Sequence, residues 1–133
     1  MKVKAGTVAF GDDANLSGMS LWLQGGTVDF GNSKGSAFDR IKLDEDSFIT
    51  VDAKSIVTFA DSSDMAWTAD KTLVFSGTMG RKSVRVGTSA AALTADQLAA
   101  VKFKTASGKL RAMTIDAKGY LVPPAAGMSV YLR

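Results

Sequence analysis

Gly6-Thr7-Val8-Ala9-Phe10-Gly11 and Gly26-Thr27-Val28-Asp29-Phe30-Gly31 are two near-copies of one hexapeptide that begin twenty residues apart. Threonine, valine and phenylalanine carry the β-branched and aromatic side chains that pack well on a pleated sheet. The flanking glycines supply backbone freedom where a strand bends or ends. The pair therefore predicts short strands separated by glycine-containing bends.

Around the two hexapeptides, apolar clusters recur about every ten residues with turn residues between them, a spacing typical of all-β folds. We expect residues 1–133 to form a single domain. Its predicted fold is an all-β, two-sheet β-sandwich, jelly-roll-like. The twenty-residue echo leaves a short parallel β-helix as the alternative, because the rungs of such a fold have that period. Strands are predicted near residues 3–10, 20–30, 40–43, 48–52, 55–60, 72–76, 82–87, 101–104, 110–116, 119–122 and 128–132.

One short helix interrupts this strand pattern. Thr94-Ala95-Asp96-Gln97 has the spacing of a capping box, in which the threonine hydroxyl and the glutamine side chain satisfy each other's backbone N–H groups. Asp96 in the first turn suits the positive end of the helix dipole. The sequence therefore predicts a helix near residues 95–100.

The composition excludes several kinds of chemistry, because the chain has no histidine and no cysteine. Ser-His-Asp and Cys-His catalysis, disulfides and zinc sites built from these residues are excluded. Carboxylate chemistry, lysine or serine chemistry without histidine, oxygen-ligated calcium and simple binding stay open. No apolar run approaches the ~20 residues of a membrane span, and no secretory signal follows the basic start. We expect no membrane span and, if the protein is exported, a signal already removed.

Charge is divided unevenly along the chain. Residues 1–66 hold six Lys and Arg against ten Asp and Glu, a net charge of −4, whereas residues 67–133 hold ten against three, a net charge of +7. A basic half attracts polyanions such as sulfated or sialylated glycans, or DNA. The predicted ligand-binding residues are Arg81, Lys82, Arg85, Lys102, Lys104, Lys109 and Arg111, together with Trp67 as an aromatic contact.

The carboxylates offer a catalytic alternative. Aspartic peptidases use two carboxylates that share one proton, and glycosidases also use a pair of acids. Asp12 and Asp13 are adjacent at a predicted turn and Asp61 begins another, so these three are the candidate catalytic residues. The Asp-Thr-Gly and Asp-Ser-Gly tripeptides of aspartic peptidases do not occur. Asp44, Glu45 and Asp46 could hold calcium, but the Asp-x-Asp-x-Asp-Gly order of a calcium loop is absent and a solvated turn explains them better.

Two segments of the basic half carry a resemblance to a known family. They are Val86-Gly87-Thr88-Ser89-Ala90-Ala91-Ala92-Leu93-Thr94-Ala95-Asp96-Gln97-Leu98-Ala99-Ala100-Val101-Lys102-Phe103 and Ile115-Asp116-Ala117-Lys118-Gly119-Tyr120-Leu121-Val122-Pro123. This pattern resembles the C-terminal region of exported verrucomicrobial surface proteins with autotransporter-associated β-strand repeats, many of which end in a Pro-Glu-Pro sorting tail that is incomplete here. The two hexapeptides are similar to the repeat rungs of that family.

The resemblance implies export and a cell-surface or mucin-facing location, and it implies no catalytic residue. We therefore expect a secreted or cell-surface module, monomeric, that binds anionic glycans or other polyanions through the basic half. A carboxylate-dependent, aspartic-type hydrolase that degrades mucin is the first alternative. Sequence-nonspecific DNA binding is the second.

Overall fold

The computed structural model describes residues 1–10, 15–31 and 33–124. Its strands form three sheets that we name A, B and C, and a separate two-stranded hairpin. Sheet A contains β1 (Lys2–Val3), β4 (Leu21–Gln24) and β7 (Ile41–Glu45). Sheet C contains β3 (Asn15–Leu16), β6 (Ser36–Phe38), β9 (Val57–Phe59) and β11 (Val84–Val86). Sheet B contains β2 (Thr7–Ala9), β5 (Thr27–Asp29), β8 (Ser47–Val51), β10 (Leu73–Gly77), β12 (Val101–Lys104) and β13 (Leu110–Ala112), and the hairpin is β14 (Thr114–Ile115) with β15 (Leu121–Val122).

From β1 to β9 the chain visits sheets A, B and C in turn three times, and each strand lies on the equivalent strand of the previous coil. It then adds β10 to sheet B and β11 to sheet C. In sheet B, Thr7 pairs with Thr27 and Thr27 with Phe48, in parallel. In sheet A, Lys2 pairs with Trp22, again in parallel. The antiparallel pairs in the described residues are β12 with β13, β14 with β15, and the isolated bridge between Arg85 and Tyr120.

The predicted jelly-roll-like β-sandwich is therefore wrong. A sandwich needs antiparallel strands, whereas sheets A and C are parallel and sheet B is mostly parallel. The winding is that of the parallel β-helix named as the alternative. The physical reason is visible in the two hexapeptides, which pair residue by residue across β2 and β5 and do not fold back as a hairpin.

The hydrophobic core runs inside the coils. Phe10 stacks on Phe30 with ring centroids 5.1 Å apart, and Phe38 stacks on Phe59 at 5.4 Å. Phe30 and Phe38 meet edge to face at 5.9 Å, which joins the two stacks into one aromatic column. The phenylalanine of the repeated hexapeptide thus has a definite role, because it links one coil to the next.

The end of the solenoid that is later in sequence is covered. The helix α1 spans Ala95–Ala100, as predicted, and both hydrogen bonds of the capping box between Thr94 and Gln97 are present. The buried Gln97 amide also donates to the carbonyls of Ser62 and Met65, which ties α1 to the segment that follows β9. The predicted strand at 128–132 lies outside the described residues. No helix in the described ranges has the length and hydropathy needed to cross a membrane.

Candidate polyanion-binding surface

Among the described residues, three equivalent turns carry the chain from sheet B to sheet C. They span Phe30–Ser33, Asp52–Ser55 and Gly80–Ser83, and in each the serine N–H donates to the carbonyl oxygen three residues earlier, at 2.9, 3.2 and 3.4 Å. All three serines are buried. The turns therefore share one design, in which the last residue faces inward.

Buried hydroxyl groups join each turn to the one before it. The Ser55 hydroxyl accepts the Asp52 N–H at 2.9 Å and donates to the Phe30 carbonyl at 2.8 Å. The Ser83 hydroxyl repeats this one coil later, since it accepts the Gly80 N–H at 2.9 Å and donates to the Asp52 carbonyl at 3.1 Å. The turns consequently stack at roughly the 4.8 Å separation of neighbouring strands.

Cationic side chains project from these turns. Lys54 and Lys82 each precede the buried serine of their turn, Arg81 precedes Lys82, and Lys34 follows Ser33. All four side chains are exposed. We call Lys34, Lys54, Arg81 and Lys82 the basic corner.

The basic corner keeps most of its charge unneutralised. Within the described residues, Lys54, Arg81 and Lys82 form no ion pair, whereas Arg40, Lys42 and Lys71 do so elsewhere. Two carboxylates lie in or next to these turns, and each accepts a backbone N–H: Asp29 from Gly31 at 2.8 Å, and Asp52 from Lys54 at 2.8 Å. Lys54, Arg81 and Lys82 therefore face solvent with their charge available to a ligand.

The hairpin of β12 and β13 extends the basic surface. Lys102 and Lys104 alternate with the inward-facing Val101 and Phe103, so both lie on the outer face of sheet B. Because β10 and β12 are parallel neighbours, Lys104 leaves sheet B at the edge where Gly77 leads toward Arg81. Lys109 lies in the turn of this hairpin and is exposed.

Two of the predicted basic residues lie apart from this surface. Arg111 pairs with Phe103 across the hairpin and shares its face, opposite to that of Lys102 and Lys104. Arg85 lies on sheet C, where its Nε donates to the Lys118 carbonyl at 2.9 Å and its guanidinium lies 5.0 Å from the centre of the Tyr120 ring. Arg85 thus fastens β11 to the segment that follows β14.

Sequence reasoning missed Lys34 and Lys54 because both fall in the acidic half of the chain. Coiling places residues from both halves on one corner, so net charge along the chain does not predict net charge on a face. The available signal was the recurrence of serine beside lysine, at Ser33-Lys34, Lys54-Ser55 and Lys82-Ser83.

Trp67 lies on the other side of the coil and has a structural contact. Its indole N–H donates to the Ile41 carbonyl at 2.9 Å, and the next residue, Thr68, donates its N–H to the Leu43 carbonyl at 2.8 Å. These bonds cover the edge of β7. The half-buried indole also lines a shallow groove of about 400 Å³ together with Asp70 and Asp96.

Asp61 is the one candidate catalytic residue that the structure describes. Asp61 is exposed and accepts the N–H and the hydroxyl of Ser63, at 2.9 and 2.6 Å. The hydrogen bonds from the Ser63 side chain and backbone lower the pKa of Asp61 below its usual value. A proton-sharing dyad requires one carboxyl with a raised pKa, so these contacts match an Asx turn better. Asp12 and Asp13 lie outside the described residues.

The three carboxylates considered for calcium have separate partners. Asp44 Oδ1 lies 3.6 Å from Lys42 Nζ, and Glu45 Oε1 lies 3.0 Å from Lys71 Nζ. Asp46 accepts the Thr72 N–H at 2.8 Å. In the ranges that the structure describes, no three carboxylates converge on a point that could hold a metal ion. We call Asp44, Glu45, Asp46 and Asp70, which lie between sheets A and B, the acidic corner.

No protein-family model, curated protein or solved structure matches this chain. The resemblance to exported β-repeat proteins consequently stays a prediction, and function must be argued from the residues of this chain.

Proposed function

We propose that this protein is a binding module for linear anionic polysaccharides, which it holds on the basic corner and the adjoining Lys104 and Lys109. The observation that supports the proposal is the stack of serine-closed turns, in which buried hydroxyls hold the backbone and the lysines and arginine project outward. Hydroxyl groups hold the turns together, and Lys54, Arg81 and Lys82 form no ion pair in the part of the chain that the structure describes, so these three cations are available to a ligand.

The spacing of the cations suits a polymer. Lys54 and Lys82 occupy the same position in turns that stack on each other, and the backbones of these turns are about one strand separation apart, roughly 4.8 Å. A flexible chain of sulfate or carboxylate groups can therefore contact several of them at once and release its condensed counterions. The ligand would run along the solenoid axis, across the coils.

The neighbouring outer face of sheet B favours a sugar polymer over DNA. Thr27, Phe48 and Val74 lie side by side on successive strands, with Lys102 next in the row. The Phe48 side chain is 44% exposed, which leaves its ring open to the apolar face of a sugar. Thr50 and Ser76 form the adjacent row, where their hydroxyl groups lie 3.4 Å apart and can hydrogen-bond to sugar hydroxyls.

The test is titration with a sulfated polysaccharide such as heparin at increasing NaCl. Arg81→Glu/Lys82→Glu should weaken binding at least about tenfold and flatten the salt dependence, because two ionic contacts are lost and repulsion is introduced. Lys4→Glu/Lys71→Glu changes net charge by the same amount at the acidic corner and should leave the affinity within about twofold of wild type. Equal loss in both pairs would show that only net charge matters and would refute the basic corner as the site.

A second arm separates the two classes of polyanion. Duplex DNA should bind more weakly than heparin at equal salt, and Phe48→Ala should weaken heparin binding without changing DNA binding. If DNA binds as tightly, or if Phe48→Ala has no effect, the polysaccharide assignment fails. Export, which the resemblance alone implies, is tested separately by fractionating cells that express the natural gene.

A further inference from the structure

In the part of the chain that the structure describes, the end of the solenoid that comes first in sequence carries unpaired strand edges. The strands β1, β2 and β3 are the terminal strands of sheets A, B and C, and within the described residues no strand pairs with their other sides. At the opposite end, β13 closes sheet B in the antiparallel direction, and the Trp67 segment covers β7. A solenoid generally needs both ends covered, because bare strand edges recruit other strands.

The hydrogen bonds of β2 show which backbone groups point outward. The Gly6 carbonyl accepts the Thr27 N–H at 2.9 Å, and the Phe10 N–H donates to the Asp29 carbonyl at 2.9 Å. The backbone polar groups of Gly6 and Phe10 therefore point toward β5. Backbone groups alternate along a strand, so Val8 also points toward β5. The N–H and C=O groups of Thr7 and Ala9 therefore point away from the solenoid.

This edge is complementary to itself. A two-fold axis through Val8 would place Thr7 opposite Ala9 of a second copy, and Ala9 opposite Thr7 of that copy. The two residues of each pair would exchange two backbone hydrogen bonds, as the hydrogen-bonded pairs of antiparallel strands do. The symmetry is that of an isologous dimer interface, in which one patch meets its own copy.

The side chains at this end favour the same occupant. Met1, Val8, Phe10 and Leu16 pack on the core but are only partly buried. Phe10 stacks on Phe30 of the neighbouring coil, so its ring lies at the end of the aromatic column, beside the edge of β2. β2 carries no charge, and its exposed Ala9 stands where the second hexapeptide has Asp29.

We propose that the open end is a self-association surface, through which two copies of this chain pair head to head by antiparallel addition of β2 to β2. This interface would join two sheets B into one sheet and cover both open cores. It replaces the monomer expected from the sequence with a two-fold dimer. It is independent of the proposed polysaccharide site, which lies along a corner of the coils.

The test uses a charge swap in the exposed positions of β2. In Thr7→Lys/Ala9→Lys, a lysine would lie directly opposite a lysine of the second copy in both pairs. In Thr7→Lys/Ala9→Glu, each lysine would lie opposite a glutamate. Both positions are exposed, so neither variant removes a core contact.

Sedimentation velocity over a range of protein concentrations should show a dimer for wild type. The Lys/Glu variant should dimerise at least about tenfold more tightly than the Lys/Lys variant, since opposite-charge cross-strand pairs stabilise and like-charge pairs destabilise. Circular dichroism and thermal unfolding of both variants verify the fold. A wild-type chain that is monomeric at every concentration would overturn the proposal, and so would equal dissociation constants for the two variants.

Discussion

The basic corner and the acidic corner are two edges of one solenoid, built by the same coils but held in different ways. At the basic corner, the Ser55 and Ser83 hydroxyls are buried and satisfy backbone groups of two successive coils. At the acidic corner, Glu45 and Asp44 pair with lysines, and Asp46 accepts a backbone N–H. Buried hydroxyl groups join coils at both edges, since the Ser47 hydroxyl at the acidic corner accepts the Gly25 N–H at 3.0 Å. Within the described residues, ion pairs between side chains are found at the acidic corner and not at the turns of Lys54 and Lys82.

This difference separates stability from binding. Ionic groups at the acidic corner are already satisfied by partners in the protein, so they have less to offer a ligand. The cations of the basic corner that form no ion pair in the described residues can change without loss of a fold contact. Substitutions should therefore divide into those that alter stability and those that alter binding, according to the corner they affect.

The largest effect should come from glycine at the entrance to each corner. Gly77 ends β10 with φ +103°, and a Cβ there would fall on the Val51 carbonyl oxygen of the previous coil. Gly25 has φ +119°, and its Cβ would lie 2.9 Å from the Lys4 carbonyl oxygen. Gly77→Ala should lower the free energy of unfolding by about 3 kcal/mol, and Gly25→Ala by about 1–2 kcal/mol. Urea denaturation measures both free energies of unfolding. A larger loss in Gly25→Ala than in Gly77→Ala would show that the coils stack more tightly at the acidic corner than at the basic corner.

The next effect tests the buried hydroxyls. Ser55→Ala should cost about 1–3 kcal/mol, because the Asp52 N–H and the Phe30 carbonyl lose their partner in a buried position. Ser107→Ala removes an exposed hydroxyl that meets only Thr105, and it should be nearly neutral. Equal unfolding midpoints for the two variants would contradict the role given to the serine-closed turns.

How far the sequence predicts this architecture depends on the range of the interactions. The helix α1 could be predicted because its capping box joins residues three positions apart, Thr94 and Gln97. The coil order could not, because alternating burial is the same in antiparallel hairpins and in parallel coils. The twenty-residue spacing of the hexapeptides was the one signal that favoured coils. From β8 to β10 the number of residues between paired positions in sheet B increases, since Phe48 pairs with Val74.

The candidate site shows the same limit. Arg81 and Lys82 were predicted from local charge, but their proximity to the turn of Lys54 arises from coil stacking. Trp67 was predicted as an aromatic ligand contact, and its indole N–H donates to the Ile41 carbonyl of an earlier coil. Side-chain roles that depend on the preceding coil cannot be predicted from neighbours along the chain.

A smaller effect compares cations at the two corners directly. Lys71→Ala should lower the free energy of unfolding only slightly, because its pair with Glu45 at 3.0 Å is largely solvent-exposed. Lys54→Ala should leave it unchanged, because that side chain forms no ion pair in the described residues. Thermal unfolding at low and high NaCl measures both, and the small loss in Lys71→Ala should shrink with salt. A larger loss in Lys54→Ala than in Lys71→Ala would contradict the division between the corners.

The smallest effect concerns the third corner, between sheets C and A, where Asp61 accepts two hydrogen bonds from Ser63. These bonds lower the pKa of Asp61 in the folded protein relative to the unfolded chain. Their contribution should be fully present above the ordinary carboxyl pKa of about 3.9 and should be lost as pH falls through the lower folded value. Wild type should therefore melt slightly above Asp61→Asn, and this difference in melting temperature should be constant from pH 6 to 8. It should vanish in strong acid. In a Ser63→Ala background the difference should shrink at every pH, since the donor side chain is gone. A difference that instead grew as pH fell would mean that Asp61 has a raised pKa, and it would return this residue to consideration as a catalytic acid.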